Sequence, residues 1–148
     1  MTTDALPRPV IVLGLSGIVP QALCLGGALI SSDWHWIALA AGCFYAALIL
    51  SFLGGMWWMQ ALERSALDWG PYILAVIPSL AGWAALLPWC LGWIWPAPSL
   101  FVLALLLAAS PLVDRTLARR FAASPAWLAL RWRMAMGLGA LTLALGLS

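Results

Sequence analysis

From Val10 to Ile30 the chain carries no charged side chain. A helix of about 20 apolar residues crosses the roughly 30 Å hydrocarbon core of a bilayer, so this run is long enough to span one. Four further runs follow, over residues 36–62, 71–93, 99–113 and 125–147, of which 99–113 is short for a span. Only 8% of the residues are charged and 65% are hydrophobic. A soluble domain carries about 25% charge, so the surface of this chain is built for lipid. The mean hydropathy of +1.02 agrees. The expected fold is all-α, an integral membrane bundle of five transmembrane helices, forming a single domain over residues 1–148. Arg8 precedes the first run as in a signal peptide. The run is too long for a signal core and no small-residue cleavage box ends it, so it reads as a retained helix.

All seven basic residues are arginine. With five spans, the N-terminus, the second-to-third loop and the fourth-to-fifth connection share one side. Those segments, with the start of the fifth span, hold every arginine. By the positive-inside rule the N-terminus is cytoplasmic and the C-terminus periplasmic, as expected for a multi-pass protein of a bacterial inner membrane. Most of the eleven tryptophans fit interfacial belts on this map. Trp83 does not, since its place in the third span is near mid-membrane, and it is a candidate to line a cavity. The net charge of +2 sits at helix ends and gives no sign of nucleic-acid binding. Cys24, Cys43 and Cys90 lie singly in apolar runs, as small fillers.

The segment Ser51–Gln60 is the expected organising element. Ser51 and Gly55 are four apart on one helical face, and small residues at that spacing let backbones approach in lipid. Gly54 widens the groove and Trp58 extends it. The other four helices are expected to pack around this one. Pro20 and Pro78 remove backbone donors inside the first and third spans and should bend them. Val19-Pro20-Gln21 weakly echoes Ile77-Pro78-Ser79. Residues 31–35 read as a polar turn. Residues 114–123 read either as a short surface helix or as a charged loop.

At about 1.5 Å per residue, the polar, glycine and proline features of every span fall in the half nearer the arginines. Arginine inside a span costs roughly 2.5–3.5 kcal/mol at the centre and less towards the edge. Arg131 and Arg133 are two apart and point to different sides. Either both snorkel and anchor the fifth helix, or one faces the bundle with Asp114 as its partner, Arg131 being the preferred one. In the second case a polar cavity opens towards the cytoplasm, with Gln21, Ser51, Trp58, Gln60, Ser79, Trp83, Asp114 and Arg131 as candidate lining or ligand-binding residues. Ser51, Gly54, Gly55, Pro20 and Pro78 are the candidate packing residues. No catalytic set and no metal set is legible. Asp33 and His35 alone do not make a metal site.

Three segments carry a resemblance: Leu13-Gly14-Leu15-Ser16-Gly17-Ile18-Val19-Pro20; Ser51-Phe52-Leu53-Gly54-Gly55 with Trp58; and Pro78-Ser79-Leu80-Ala81-Gly82-Trp83. Together they resemble a family of uncharacterised small membrane proteins of proteobacteria that includes a mitochondrial member, transmembrane protein sixty-nine. The resemblance implies a five-helix inner-membrane protein and no particular activity or cofactor. Two functions stand open on the residues. One is a non-enzymatic accessory or assembly subunit of an energy-transducing membrane complex, with other transmembrane helices as hetero- or homo-oligomeric partners. The other is a binder or carrier of a lipophilic molecule, such as a quinone, tetrapyrrole or lipid, in the cytoplasmic half of the bundle. Membrane lipids are partners in both.

Overall fold

The structure, a computed structural model, describes residues 6–30, 32–92, 95–121 and 124–148. These form α1 (Arg8–Ser16), α2 (Val19–Ile30), α3 (Ser32–Glu63), α4 (Gly70–Cys90), α5 (Ala97–Phe121) and α6 (Pro125–Leu147), with no strand among the described residues. Five helical segments are long and apolar enough to cross a membrane, α1 and α2 counting as one interrupted segment. The third expected span ends at Trp93, which lies outside the described residues, as does Ser31 of the expected polar turn.

The interruption between α1 and α2 follows from Pro20. Its nitrogen has no hydrogen to give the Ser16 carbonyl, so the ladder fails one turn earlier. Gly17 and Ile18 instead make tight bonds back to Gly14 and Leu15. The Gly17 carbonyl takes the Tyr45 hydroxyl of α3 as donor. In α5 a local side chain repairs a similar gap. Pro111 cannot bond the Leu107 carbonyl, and the Ser110 hydroxyl donates to that carbonyl at 2.8 Å, so the helix runs on.

Two boundaries differ from the sequence expectation. Residues 32–35 belong to α3 rather than to a turn, which lets α3 reach about 48 Å at 1.5 Å per residue. Residues 114–121 are neither a separate surface helix nor a loop. They continue α5, because nothing in Asp114-Arg115-Thr116-Leu117-Ala118-Arg119-Arg120 breaks a helix; Ala122 and Ala123 lie outside the described residues. α6 starts where Ser124 caps it, accepting from the Trp127 amide at 3.2 Å with Pro125 behind it. α3 ends in a Schellman arrangement: Ala66 bonds back to Ala61 and Ser65 to Leu62. Ser65 sits there at φ 50°, where glycine is usual.

α3 is the centre, touching α2, α4, α5 and α6. Its buried stripe is Leu39, Cys43, Ala46, Leu50, Leu53, Trp57 and Ala61. The α3–α4 seam is made of small residues in matching patterns. Ala47, Ser51 and Gly54 on α3 meet Gly82, Ser79 and Ala75 on the antiparallel α4. Gly82 lies against Ala47 and Gly54 against the Ala75 carbonyl. Between them the Ser79 hydroxyl donates to Ser51 at 3.2 Å. Each helix presents Ala-x3-Ser-x2-Gly, so the contact is close to two-fold symmetric. Pro78 is buried in this seam, whereas Pro20 marks the α1–α2 break.

Gly55 does not take part. Among the described residues nothing stands within 4 Å of where a side chain would begin on it. Gly55 is turned about 100° from Gly54 on the helix, so the close approach falls one residue earlier than expected. The α5–α6 pair closes through Gly139, packed on Ala104 and Ala108.

At the end of α5, Arg120 pairs with Asp68 of the α3–α4 loop at 2.8 Å. The hydrogen bond from Arg120 holds the Asp68 carboxyl below its ordinary value of 3.8. The stabilisation from this exposed pair is therefore present above that value and is lost as pH falls through the lowered folded pKa.

Candidate functional site

The charged side chains inside the bundle meet about 9–10 Å below its arginine-bearing end, some six or seven residues from the ends of α3, α5 and α6. Asp114 is 4% exposed and Arg131 3%. Arg131 Nε donates to Asp114 Oδ2 at 3.1 Å, and Nη2 lies 3.0 Å from the same oxygen. That second contact is off the N–H direction, so it is coulombic, and Nη2 has no hydrogen-bond partner. Trp57 Nε1 donates to Asp114 Oδ1 at 2.8 Å. Both carboxylate oxygens are thus occupied, one from α3 and one from α6.

Why these three side chains meet follows from helical spacing. On α5, Asp114 continues the buried positions Leu100, Leu103, Leu107 and Ser110. On α6, Arg131 lies four residues before Ala135 and seven before Leu138, both buried. Arg133 is exposed at the surface of α6. A lone charge here would be costly to bury, and the pair with its indole donor meets that cost.

The ion pair separates two spaces. On one side is an apolar chamber of about 320 Å³ bounded by α1, α3, α5 and α6. Its walls include Leu13, Gly14, Phe52, Leu53, Leu107, Met134 and Leu138, and the side chains on it with polar atoms are Arg131, Ser110 and Trp127. The Ser110 hydroxyl is already committed to Leu107, and Arg131 is the charged group among the lining residues. On the other side is a cleft between α5 and α6 that Asp114 helps to line.

The remaining sequence candidates do not join this centre. Gln21 is buried, but its amide donates to Thr142 at 2.9 Å, and Thr142 donates to the Leu138 carbonyl. Thr142 is eleven residues along α6 from Arg131, about 16 Å away. Ser51 and Ser79 meet each other in the α3–α4 seam. Trp58 is 41% exposed and packs edge-on against Tyr72. Trp83 is 62% exposed on the outside of α4, so it lines no internal cavity. Gln60 is half-buried near the end of α3, outside the chamber lining. Trp57 and Thr142 were not among the candidates. Trp57 had no signal that set it apart from Trp58, since its spacing from Ala46, Leu50 and Leu53 marks the inward face only once the structure shows those positions buried. Thr142 had none beyond being the one hydroxyl in the later part of α6.

Among the described residues no group of three or more His, Cys, Asp or Glu could hold a metal ion. His35 instead stacks in an aromatic group with Trp36 and Trp95 at the other end of the bundle and contacts the Ala28 carbonyl.

Residues 6–147 match the family described as Protein of unknown function (DUF3429). The chain belongs to this family. The DUF3429 match covers all six helices, and so includes Trp57, Asp114 and Arg131. The chain is also 32% identical over 84 residues to Transmembrane protein 69 of Xenopus tropicalis. That match takes in 55% of this chain and 33% of the frog protein. No solved structure matches.

Proposed function

We propose that this chain binds a lipophilic molecule bearing an oxygen acceptor, in the chamber beside Arg131. One observation carries the reading. The Arg131 side chain borders a largely apolar space of about 320 Å³, and its Nη2, held against Asp114 Oδ2, has no hydrogen-bond partner. An unmet buried donor costs about 1–3 kcal/mol, and more on a charged group, which an occupant with a carbonyl, ester or phosphate oxygen recovers. The volume is at the low end for ligand pockets, roughly 300–1,000 Å³. It suits a quinone ring or an acyl segment better than a tetrapyrrole. The accessory-subunit reading drew on small-residue faces, and the main such face is used internally, where α3 meets α4.

The test is to purify the protein in mild detergent and quantify organic-extractable compounds per mole of protein by mass spectrometry. Wild type should carry one compound near stoichiometry. Met134→Trp, which puts an indole into the chamber, should lose it while keeping its melting temperature. Wild type without such a compound, or equal content in both proteins, rejects the reading. A stoichiometric protein partner with an empty chamber favours the accessory subunit instead. The arginine-bearing end faces the cytoplasm of a bacterial inner membrane on this proposal, by the positive-inside rule.

A further inference from the structure

We propose that the cleft between α5 and α6, on the opposite side of the ion pair from the chamber, holds the headgroup phosphate of an anionic phospholipid. The cleft measures about 430 Å³ and is lined by Pro111, Asp114, Arg115, Leu128, Trp132 and Arg133, among others. Arg115 enters from α5 and Arg133 from α6, and both are exposed. The Arg115 guanidinium lies over the Trp132 ring, 4.8 Å from its centroid. That stacking limits the rotamers of a long side chain, so less freedom is lost when it grips a ligand.

The carboxylate at the cleft does not cancel these charges. Trp57 occupies one Asp114 oxygen and Arg131 the other. The guanidinium groups of Arg115 and Arg133 therefore line the cleft without a free acid beside them. Guanidinium forks match phosphate oxygens.

Three observations point to a lipid rather than a free anion. Pro111 and Leu128 make the cleft wall apolar. Leu112 and Leu105, seven apart on α5 and both exposed, continue an apolar track away from the arginines, as acyl chains require. Arg115 and Arg133 also sit about 9–12 Å from the helix ends, level with the buried ion pair, from where long side chains snorkel up to headgroup phosphates. The same geometry selects against zwitterionic lipids. A zwitterionic headgroup brings a cation of its own, which the guanidinium groups of Arg115 and Arg133 repel. Basic pockets between transmembrane helices are a general mode of anionic-lipid recognition.

Native mass spectrometry of the full chain, titrated with phosphatidylglycerol and with phosphatidylcholine in detergent, tests this. Wild type should prefer phosphatidylglycerol by at least roughly tenfold. Arg115→Gln/Arg133→Gln should abolish the preference. Arg64→Gln, which removes one charge at the same end but outside the cleft, as Arg133→Gln does within it, should keep it. Should the double variant not fold, Arg133→Gln alone decides, with a loss of at least about threefold expected. The proposal fails if wild type shows no preference, if the cleft variants retain it, or if Arg64→Gln loses as much. Displacement of phosphatidylglycerol by millimolar inorganic phosphate would also overturn it, by showing a free-anion site.

Discussion

Trp57, Asp114 and Arg131 behave as one unit, because each leaves a buried partner stranded when removed. Asp114→Asn and Arg131→Gln should each cost about 3–5 kcal/mol, with the double variant milder than their sum. Trp57→Phe keeps the ring but strips its donor from Asp114 Oδ1, at a cost of about 1–3 kcal/mol. Arg133→Gln, on the exposed side, should stay within about 0.5 kcal/mol. Denaturant titration in one detergent measures all four, and strict additivity of Asp114→Asn and Arg131→Gln would rule out the coupling. Two of the three residues were legible from sequence, since charges at equal depth in lipid have few choices of partner. Trp57 was not. Trp58 beside it has the same chemistry, and a helix that is apolar on every side does not reveal which tryptophan points inward.

At the scale of elements, the five spans were legible because composition and length alone define them in lipid. The helix ends were less so, as Ser32 and Asp114 show. Polar residues mark a turn only when something also breaks the helix. The packing face was off by one residue for the same reason as the tryptophan. α3 has almost no polarity difference between its faces, so the small-residue pattern Ser51-x3-Gly55 competed with Ala47-x3-Ser51-x2-Gly54 on equal terms. The matching Ala75-x3-Ser79-x2-Gly82 on α4 was the signal that could have decided. The outcome for mutants is distinct. Gly54→Leu should destabilise by about 1–3 kcal/mol or more, because its side chain would run into the Ala75 backbone. Gly55→Leu should be nearly neutral, within about 0.5 kcal/mol. Thermal unfolding of the two variants side by side separates the registers, and equal losses would reject the seam described here.

For the whole molecule, single-cysteine labelling at Arg64 and Arg120 in a background lacking Cys24, Cys43 and Cys90 should place both sites in the cytoplasm, with Ser148 outside. Labelling of Ser148 from the cytoplasm would overturn both orientation and span count. The break between α1 and α2 bears on how such a molecule moves. α1 has no buried residue, and its neighbour in the bundle is α6. It also forms one wall of the chamber through Leu13, Gly14 and Gly17. Detaching it therefore exposes little that the bundle needs, while the centre formed by α3, α5 and α6 stays closed. Amide hydrogens of residues 10–16 should exchange well before those of α3, at a local opening free energy far below that of global unfolding. The chamber would then fill and empty sideways, from within the bilayer, at a rate set by one short helix swinging on Gly17 rather than by any rearrangement of the charged centre.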